Sequence, residues 1–167
     1  MKSKWALVPL AALTAVGIYV GNVLATPAGG QSTTTLGKAL AAAPVNISGH
    51  AKQPPGGWRA KLHTHGLSDL YVIDNKFDVG GTTGWHSHPG PSLIFVVAGQ
   101  ITNYLASDPN CTPHVYTAGQ SFTDEGGSEV HMLRNNGTVQ AETIAVQFLP
   151  KDATRRIDEP DPLTCHF

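Results

Sequence analysis

The sequence predicts an all-β domain of the antiparallel sandwich or barrel type. Short apolar stretches rich in β-branched residues recur roughly every 8 to 12 residues. Turn residues separate these stretches and are abundant, with 18 Gly and 12 Pro among the 167 residues. No long segment with helical periodicity follows the N-terminal apolar run. One β-domain is therefore the expected fold.

Residues 1–25 have the features of an export signal. Lys2 and Lys4 provide the positive start, and residues 6–25 form an apolar run that ends in the small residue Ala25. The run is also long enough to remain as a membrane anchor. The sequence therefore predicts a secreted or extracytoplasmic protein, with anchoring to the membrane by residues 6–25 as the alternative.

Charge argues against a nucleic-acid partner. Loss of Lys2 and Lys4 with the signal would lower the number of basic side chains from 11 to 9, against 12 acidic ones. No basic stripe remains to neutralise phosphates. In an oxidising compartment, the two cysteines, Cys111 and Cys165, are expected to form a disulfide.

A flexible linker is expected over residues 26–57, because Gly, Ala, Ser, Thr and Pro dominate there without apolar periodicity. The β-domain and its C-terminal tail then occupy residues 58–167. His63 and His65 precede the first expected core strand and have polar flanks, so we predict a position at the rim or surface for both.

The expected strands follow from β-branched and aromatic runs between turns. They cover residues 69–79, 93–98, 100–105, 113–117, 120–122, 129–135 and 138–149. Residues 69–79 form either one strand or two strands across a kink at 74–75. Asn136 and Gly137 form the pair typical of a two-residue hairpin turn, which would join the last two strands. Residues 124–128 are expected to form a loop near the mouth of the barrel.

His86 and His88 lie one residue apart between turn residues and a core strand. In a β-strand, residues i and i+2 point to the same side. Both imidazoles are therefore expected to face one cavity, in an arrangement suited to binding a metal.

The region around these histidines resembles the first motif of the cupin superfamily. Gly80, His86, His88 and Gly99 match that motif at its spacings, and Ser92 stands where the family has Glu. The stretch from residue 84 to 92 also resembles a group of small exported bacterial cupins.

The second cupin motif is matched by Gly119, Gly127, His131 and Asn135. Glu125 replaces the Pro of that motif, and one extra residue lies between the second Gly and the His. The resemblance covers residues 70–150. It implies a single-domain cupin β-barrel, also called a double-stranded β-helix or jelly roll, and cupins often form homodimers.

The resemblance also implies a metal site formed by His86, His88 and His131. Three neutral imidazoles suit a divalent transition metal, whether Fe, Mn, Zn, Ni or Cu. Loss of the Glu opens one position for water or substrate. Neutral Ser92 is a poor metal ligand and is not expected to bind the metal itself, although it could hydrogen-bond to a metal-bound water. Glu129 would face the site only if its strand is regular, and it is otherwise expected at the rim.

Further residues could line the cavity, although alternation alone does not assign their faces: Tyr104, Arg134 and Gln147. Two functions remain open. The first is metal-dependent chemistry on a small organic molecule, of the oxygenase or isomerase type. The second is a non-catalytic binding or sensing module that has lost its metal.

Overall fold

The computed structural model describes residues 24–52 and 57–167, and in these ranges the chain forms β-strands and no α-helix. The strands are β1 (Gly29–Ala41), β2 (Asn46–Ala51), β3 (Trp58–His63), β4 (Ser68–Thr82), β5 (His86–Ser87), β6 (Ser92–Ala98), β7 (Gln100–Leu105), β8 (His114–Thr117), β9 (Ser121–Asp124), β10 (His131–Arg134), β11 (Ala141–Pro150) and β12 (Ile157–Asp158). The predicted all-β fold is confirmed.

The predicted N-terminal signal or anchor falls almost entirely on residues 1–23, which lie outside the described residues. Within the described part of the chain, no helix has the length and apolar character needed to cross a membrane.

Ten strands form one antiparallel sheet that curls into a nearly closed barrel. Its main path runs β12-β5-β10-β4-β11-β6-β9, while β1 pairs with β4, β7 with β10, and β8 with β7. The remaining two strands, β2 and β3, form a separate hairpin. Strand β4 is 15 residues long without interruption, and it pairs with β1, β10 and β11.

The barrel interior is apolar because alternate residues of the central strands point inward. Strands β6 and β11 show this alternation of buried and more exposed residues along almost their whole length. The main core consists of Ile73, Phe77, Ile94, Val96, Ile101, Phe122, Leu133, Ala141 and Ala145.

A second, smaller cluster contains Trp85, Tyr104, Met132 and Cys165. Cys165 forms the predicted disulfide with Cys111, with the two Cα atoms 5.2 Å apart and a sequence separation of 54 residues. A closed loop of this length stabilises the fold by about 4 kcal/mol in the loop-entropy treatment. The disulfide prediction is confirmed.

The linker expected over residues 26–57 is wrong for much of that range. Strand β1 pairs with β4 from Gly29↔Thr82 to Ala41↔Ser68, and β2 pairs with β3. No residue of β1 is fully buried, so its sequence lacks the apolar alternation that identifies most strands. Its stability comes from backbone hydrogen bonds, which composition does not reveal.

The hairpin expected at Asn136 and Gly137 is also wrong. Strand β10 pairs with β4, β5 and β7, whereas β11 pairs with β4 and β6. The buried Asn135 side chain explains the crossing. Its amide donates to the carbonyl oxygens of Phe77 and Val139, and its Oδ1 accepts from the Gly137 N–H. These bonds turn the chain away from β10 instead of folding it back.

Candidate metal centre

Three buried histidines meet where β5 pairs with β10. In the pairing of β5 with β10, His131 lies directly opposite His86, and their Nε2 atoms are 3.1 Å apart. His88 completes the cluster, and one ring nitrogen from each histidine lies within 4.8 Å of the others. The exposed fractions of His86, His88 and His131 are 4%, 6% and 2%. The structure thus brings together the three residues singled out in the sequence.

Backbone carbonyls fix the orientation of two of these imidazoles. His86 Nδ1 lies 3.0 Å from the Gly84 carbonyl oxygen, and His88 Nδ1 lies 2.6 Å from that of Arg155. Because a carbonyl oxygen only accepts, each Nδ1 carries the proton and donates it. Each Nε2 is then left with a free lone pair that is directed into the cluster. Such an arrangement is the usual preparation of a histidine for metal binding.

Burial keeps the three imidazoles neutral. It lowers the pKa of His86 well below its usual range and lowers that of His131 to about 4. The pKa of His88 is lowered for the same reason, against the opposing effects of the Arg155 carbonyl and Asp124. A metal would therefore not compete with protons for these nitrogens at neutral pH.

A buried carboxylate lies beside the histidines. Asp124, at the end of β9, is 1% exposed. Its Oδ2 atom is 3.9 Å from His88 Nε2 and 3.9 Å from His131 Nε2. The sequence placed Asp124 in a loop at the barrel mouth, and that expectation is wrong. Phe122 and Asp124 are both buried on β9, so the alternation of that strand turns Asp124 inward.

Ser92 holds this carboxylate. Its hydroxyl donates to Asp124 Oδ2 at 3.2 Å, and its Oγ accepts from Gln147 Nε2 at 3.1 Å. Arg155 Nη1 in turn donates to Gln147 Oε1 at 3.3 Å. In the strand register, Ser92 lies opposite both Asp124 and Gln147. The strand pairing thus builds a continuous chain of hydrogen bonds from Arg155 to Asp124.

The cluster opens into a cavity of about 40 Å³, which has room for a few water-sized groups. Four apolar side chains line part of it: Ile73, Ile94, Leu133 and Ala145. The polar residues that line it are Gln31, Thr33, Asn75, Thr83, Ser92, Asp124, Gln147, Arg155 and Arg156, together with the three histidines. Two of these, Gln31 and Thr33, come from β1, so the segment expected to be a linker contributes to the site.

The other residues that the sequence suggested for the cavity or its rim fall into two groups. Gln147 lies in the cavity. In contrast, Arg134 contacts Asn136 and stacks over the Phe167 ring, and Tyr104 accepts a hydrogen bond from Asn136 while packing in the smaller core cluster. His63 and His65 are exposed and contact each other away from the site.

Glu129 is half-buried in the segment before β10. One of its carboxylate oxygens lies within 4.8 Å of ligand atoms of Asp124 and His131. Burial and the neighbouring Asp124 both raise the pKa of Glu129. It does not line the cavity, which agrees with a position at the rim.

The donor set fits a divalent transition metal. Nitrogen ligands lie about 2.0–2.1 Å from zinc, so two adjacent ones on a single ion are about 3.0–3.4 Å apart. The separation of 3.1 Å between His86 Nε2 and His131 Nε2 falls in this range. Neutral imidazoles with one carboxylate suit Mn, Fe, Ni, Cu or Zn.

Comparison with known proteins agrees with this architecture. Residues 75–147 match the family model of the cupin domain, and this range contains His86, His88, His131 and Asp124. No curated protein matches the chain.

Several solved structures are similar at low identity. An oxalate oxidase shares 20% identity with a TM-score of 0.45 over 53% of this chain, which spans 45% of the length of that protein. Peruvianin-I, a cysteine peptidase from Thevetia peruviana latex, shares 22% identity with a TM-score of 0.49, over 78% of this chain and 68% of that one.

A conserved protein with a double-stranded beta-helix domain from Klebsiella pneumoniae subsp. pneumoniae MGH 78578 shares 16% identity with a TM-score of 0.46, over 72% of this chain and 82% of that one. Likeness at this level does not indicate a shared activity. The family match rests instead on residues 75–147, which span much of β4 to β11 in the curled antiparallel sheet. On this evidence, residues 75–147 match the cupin domain family, and this part of the chain resembles the cupin superfamily in sequence and fold.

Proposed function

We propose that the protein binds one divalent transition metal through His86, His88 and His131 and uses it to act on a small organic molecule, in the manner of an oxygenase or isomerase. The convergence of three buried imidazoles, two of them oriented by backbone carbonyls, is the observation that carries this proposal. Burying three nitrogen heterocycles in an apolar barrel is costly unless their polar atoms are used.

The metal would supply Lewis acidity toward a bound oxygen atom. The chain's own residues determine which molecule can reach it. The small volume of the cavity limits the ligand to a few heavy atoms near the histidines. The side chains of Ile73, Ile94 and Ala145 give this space an apolar side. The substrate is therefore small, or it enters with only its reacting end.

Arg155 indicates the charge of that molecule. Its guanidinium is half-buried at the cavity and donates to the neutral Gln147 side chain. Among the described residues, no carboxylate forms an ion pair with it, whereas the neighbouring Arg156 pairs with Asp158. A half-buried guanidinium without an anionic partner favours a ligand that carries a carboxylate or a similar anionic oxygen.

The disulfide supports a location outside the cytoplasm. A bond between Cys111 and Cys165 forms and persists in oxidising compartments. We therefore propose that the protein is exported from the cytoplasm, with residues 1–25 as the export segment.

Metal content tests the proposal. Elemental analysis of the untagged protein, isolated from its native compartment, should find about one transition-metal ion per chain. A His86→Ala, His88→Ala double variant should lose this ion. His63→Ala, His65→Ala provides a matched control, because it removes an exposed pair with the same spacing. Equal metal in all three proteins would disprove the proposal.

One observation favours a second function, a binding module without metal. His86 and His131 are within hydrogen-bonding distance of each other through Nε2, so these two nitrogens can pair with each other without an ion. Such a module would be stabilised thermally by its ligand, by mass action on the folded state. The stabilisation would persist after treatment with a chelator, and no product would form. Product formation that follows metal content would exclude this function.

A further inference from the structure

The position of Asp124 suggests that the carboxylate of this site has moved to a different strand. We propose that Asp124 on β9 supplies the carboxylate ligand that the cupin motif expects at residue 92 on β6, and that Ser92 is its positioning residue. The inference rests on the metal site proposed above and extends it from three ligands to four.

The strand register allows a carboxylate to enter the site from either β6 or β9. Ser92 and Asp124 lie directly opposite each other in the antiparallel pairing of β6 with β9. Side chains of opposite residues point to the same face of the sheet, with Cβ atoms about 5 Å apart. A carboxylate moved from one position to the other therefore still enters the same cavity. Its Oδ2 atom lies 3.9 Å from the Nε2 atoms of both His88 and His131.

The buried carboxylate has no positive partner of its own. Asp124 is 1% exposed, and its oxygens accept hydrogen bonds from the Ser92 hydroxyl and the Gly126 N–H. No Lys or Arg among the described residues forms a salt bridge with it, and its charged neighbours could only be histidines. A buried carboxylate without a Lys or Arg partner is costly, and a divalent cation between it and the imidazoles would offset that cost.

Ser92 orients the carboxylate through a directional hydrogen-bond chain. Because Gln147 Nε2 donates to Ser92 Oγ, the hydroxyl proton is free to point at Asp124 Oδ2. The small serine side chain also leaves the volume into which Asp124 extends from the opposite strand. Ser92 and Asp124 thus act as a compensating pair, in which a small residue on one strand accommodates an acid on the other.

The test measures affinity for Mn²⁺ by electron paramagnetic resonance of the free ion, with metal-free, untagged protein. Asp124→Asn keeps the shape of the side chain and removes its charge. Changing a residue that only supports a metal ligand typically lowers metal affinity by roughly 10–100-fold. We expect Asp124→Asn to lower the affinity by more than this. Ser92→Ala should fall within that smaller range. Glu129→Gln, which changes the nearest other carboxylate, should bind Mn²⁺ as the unmodified protein does.

A charge-swap variant makes the test independent of simple destabilisation. The double change Ser92→Glu, Asp124→Ser returns the acid to the position of the family motif. It should recover Mn²⁺ affinity to within about tenfold of the unmodified protein, while Ser92→Glu alone should not. Thermal unfolding of each metal-free variant confirms that the proteins compared are folded.

The outcomes separate the two proposals. Unchanged affinity in Asp124→Asn, together with metal loss in the His86→Ala, His88→Ala protein, overturns the role of Asp124 and leaves the three-histidine site standing. If Glu129→Gln greatly lowers the affinity for Mn²⁺ and Asp124→Asn does not, Glu129 is the carboxylate ligand. The role proposed for Asp124 is then also overturned. Failure of the unmodified protein to bind any transition metal overturns both proposals.

Discussion

Acid should destabilise the metal-free protein in a defined pH range, because His131 is buried in its neutral form. Its pKa is lowered from the ordinary value of 6.5 to about 4 in the folded state, chiefly by burial. In the unfolded chain, the same imidazole is exposed and binds a proton first as the pH falls. The loss of stability therefore begins near pH 6.5 and is complete near pH 4.

The magnitude follows from the two pKa values. A difference of one pH unit in pKa corresponds to about 1.4 kcal/mol, so His131 alone should lower the free energy of unfolding by about 3 kcal/mol between pH 7 and pH 4. His86 and His88 act in the same direction, since burial lowers the pKa of each. Carboxylates also titrate toward the acid end, so a reference protein is needed.

Urea denaturation at pH 7, 6, 5 and 4, with a chelator present throughout, provides the free energies. His131→Gln is the reference, because it keeps a polar side chain of moderate size and cannot titrate. The unmodified protein should lose about 3 kcal/mol more than His131→Gln over this range. A difference below about 1 kcal/mol would show that the folded state accepts the proton readily, and that burial does not hold this imidazole neutral.

Three other perturbations test different parts of the fold. Replacing Cys111 and Cys165 together by Ser should lower the free energy of unfolding by about 4 kcal/mol, measured in urea, because the long covalent loop is lost; an equal midpoint with and without the bond would contradict this. Gly84→Ala should be more destabilising than Gly119→Ala by about 1–3 kcal/mol. Both glycines have positive φ, but only a Cβ at residue 84 would lie 2.2 Å from the Thr26 carbonyl oxygen. Equal thermal midpoints of those two variants would refute the clash. Arg155→Gln should abolish the thermal stabilisation of the protein by small carboxylates such as malonate, measured in a thermal-shift assay. Lys61→Gln, on the exposed β3 strand, should leave that stabilisation unchanged. Stabilisation that survives in Arg155→Gln would show that this guanidinium does not bind the anion.

The histidines could be predicted from sequence because their geometry is local. His86 and His88 share a face through the two-residue period of a strand, and the motif spacing added His131. Asp124 could not be predicted in the same way. Its place in the site depends on the pairing of β9 with β6, which no sequence period specifies. The one available clue was the alternation of Phe122 with Asp124, in a strand too short to reveal it.

Strand β1 was missed for a different physical reason. Its residues are almost all exposed, so the sequence carries polar and small residues like those of a linker. Hydrophobic patterning reports only which side chains are buried. It does not reveal a strand that is held to its neighbour by backbone hydrogen bonds. The cavity residues Gln31 and Thr33 lie on β1, and they were therefore not predicted either.

The disulfide divides the candidate metal centre in an unexpected way. The ring closed by Cys111 and Cys165 contains Asp124, His131, Gln147 and Arg155, whereas His86, His88 and Ser92 lie outside it. A metal ion bound by residues of both groups would act as a second cross-link, one that joins the ring to the earlier half of the chain. Oxidation and metal binding would then restrict the unfolded chain in succession. Metal uptake should accordingly be most favourable in the compartment where the ring has already closed.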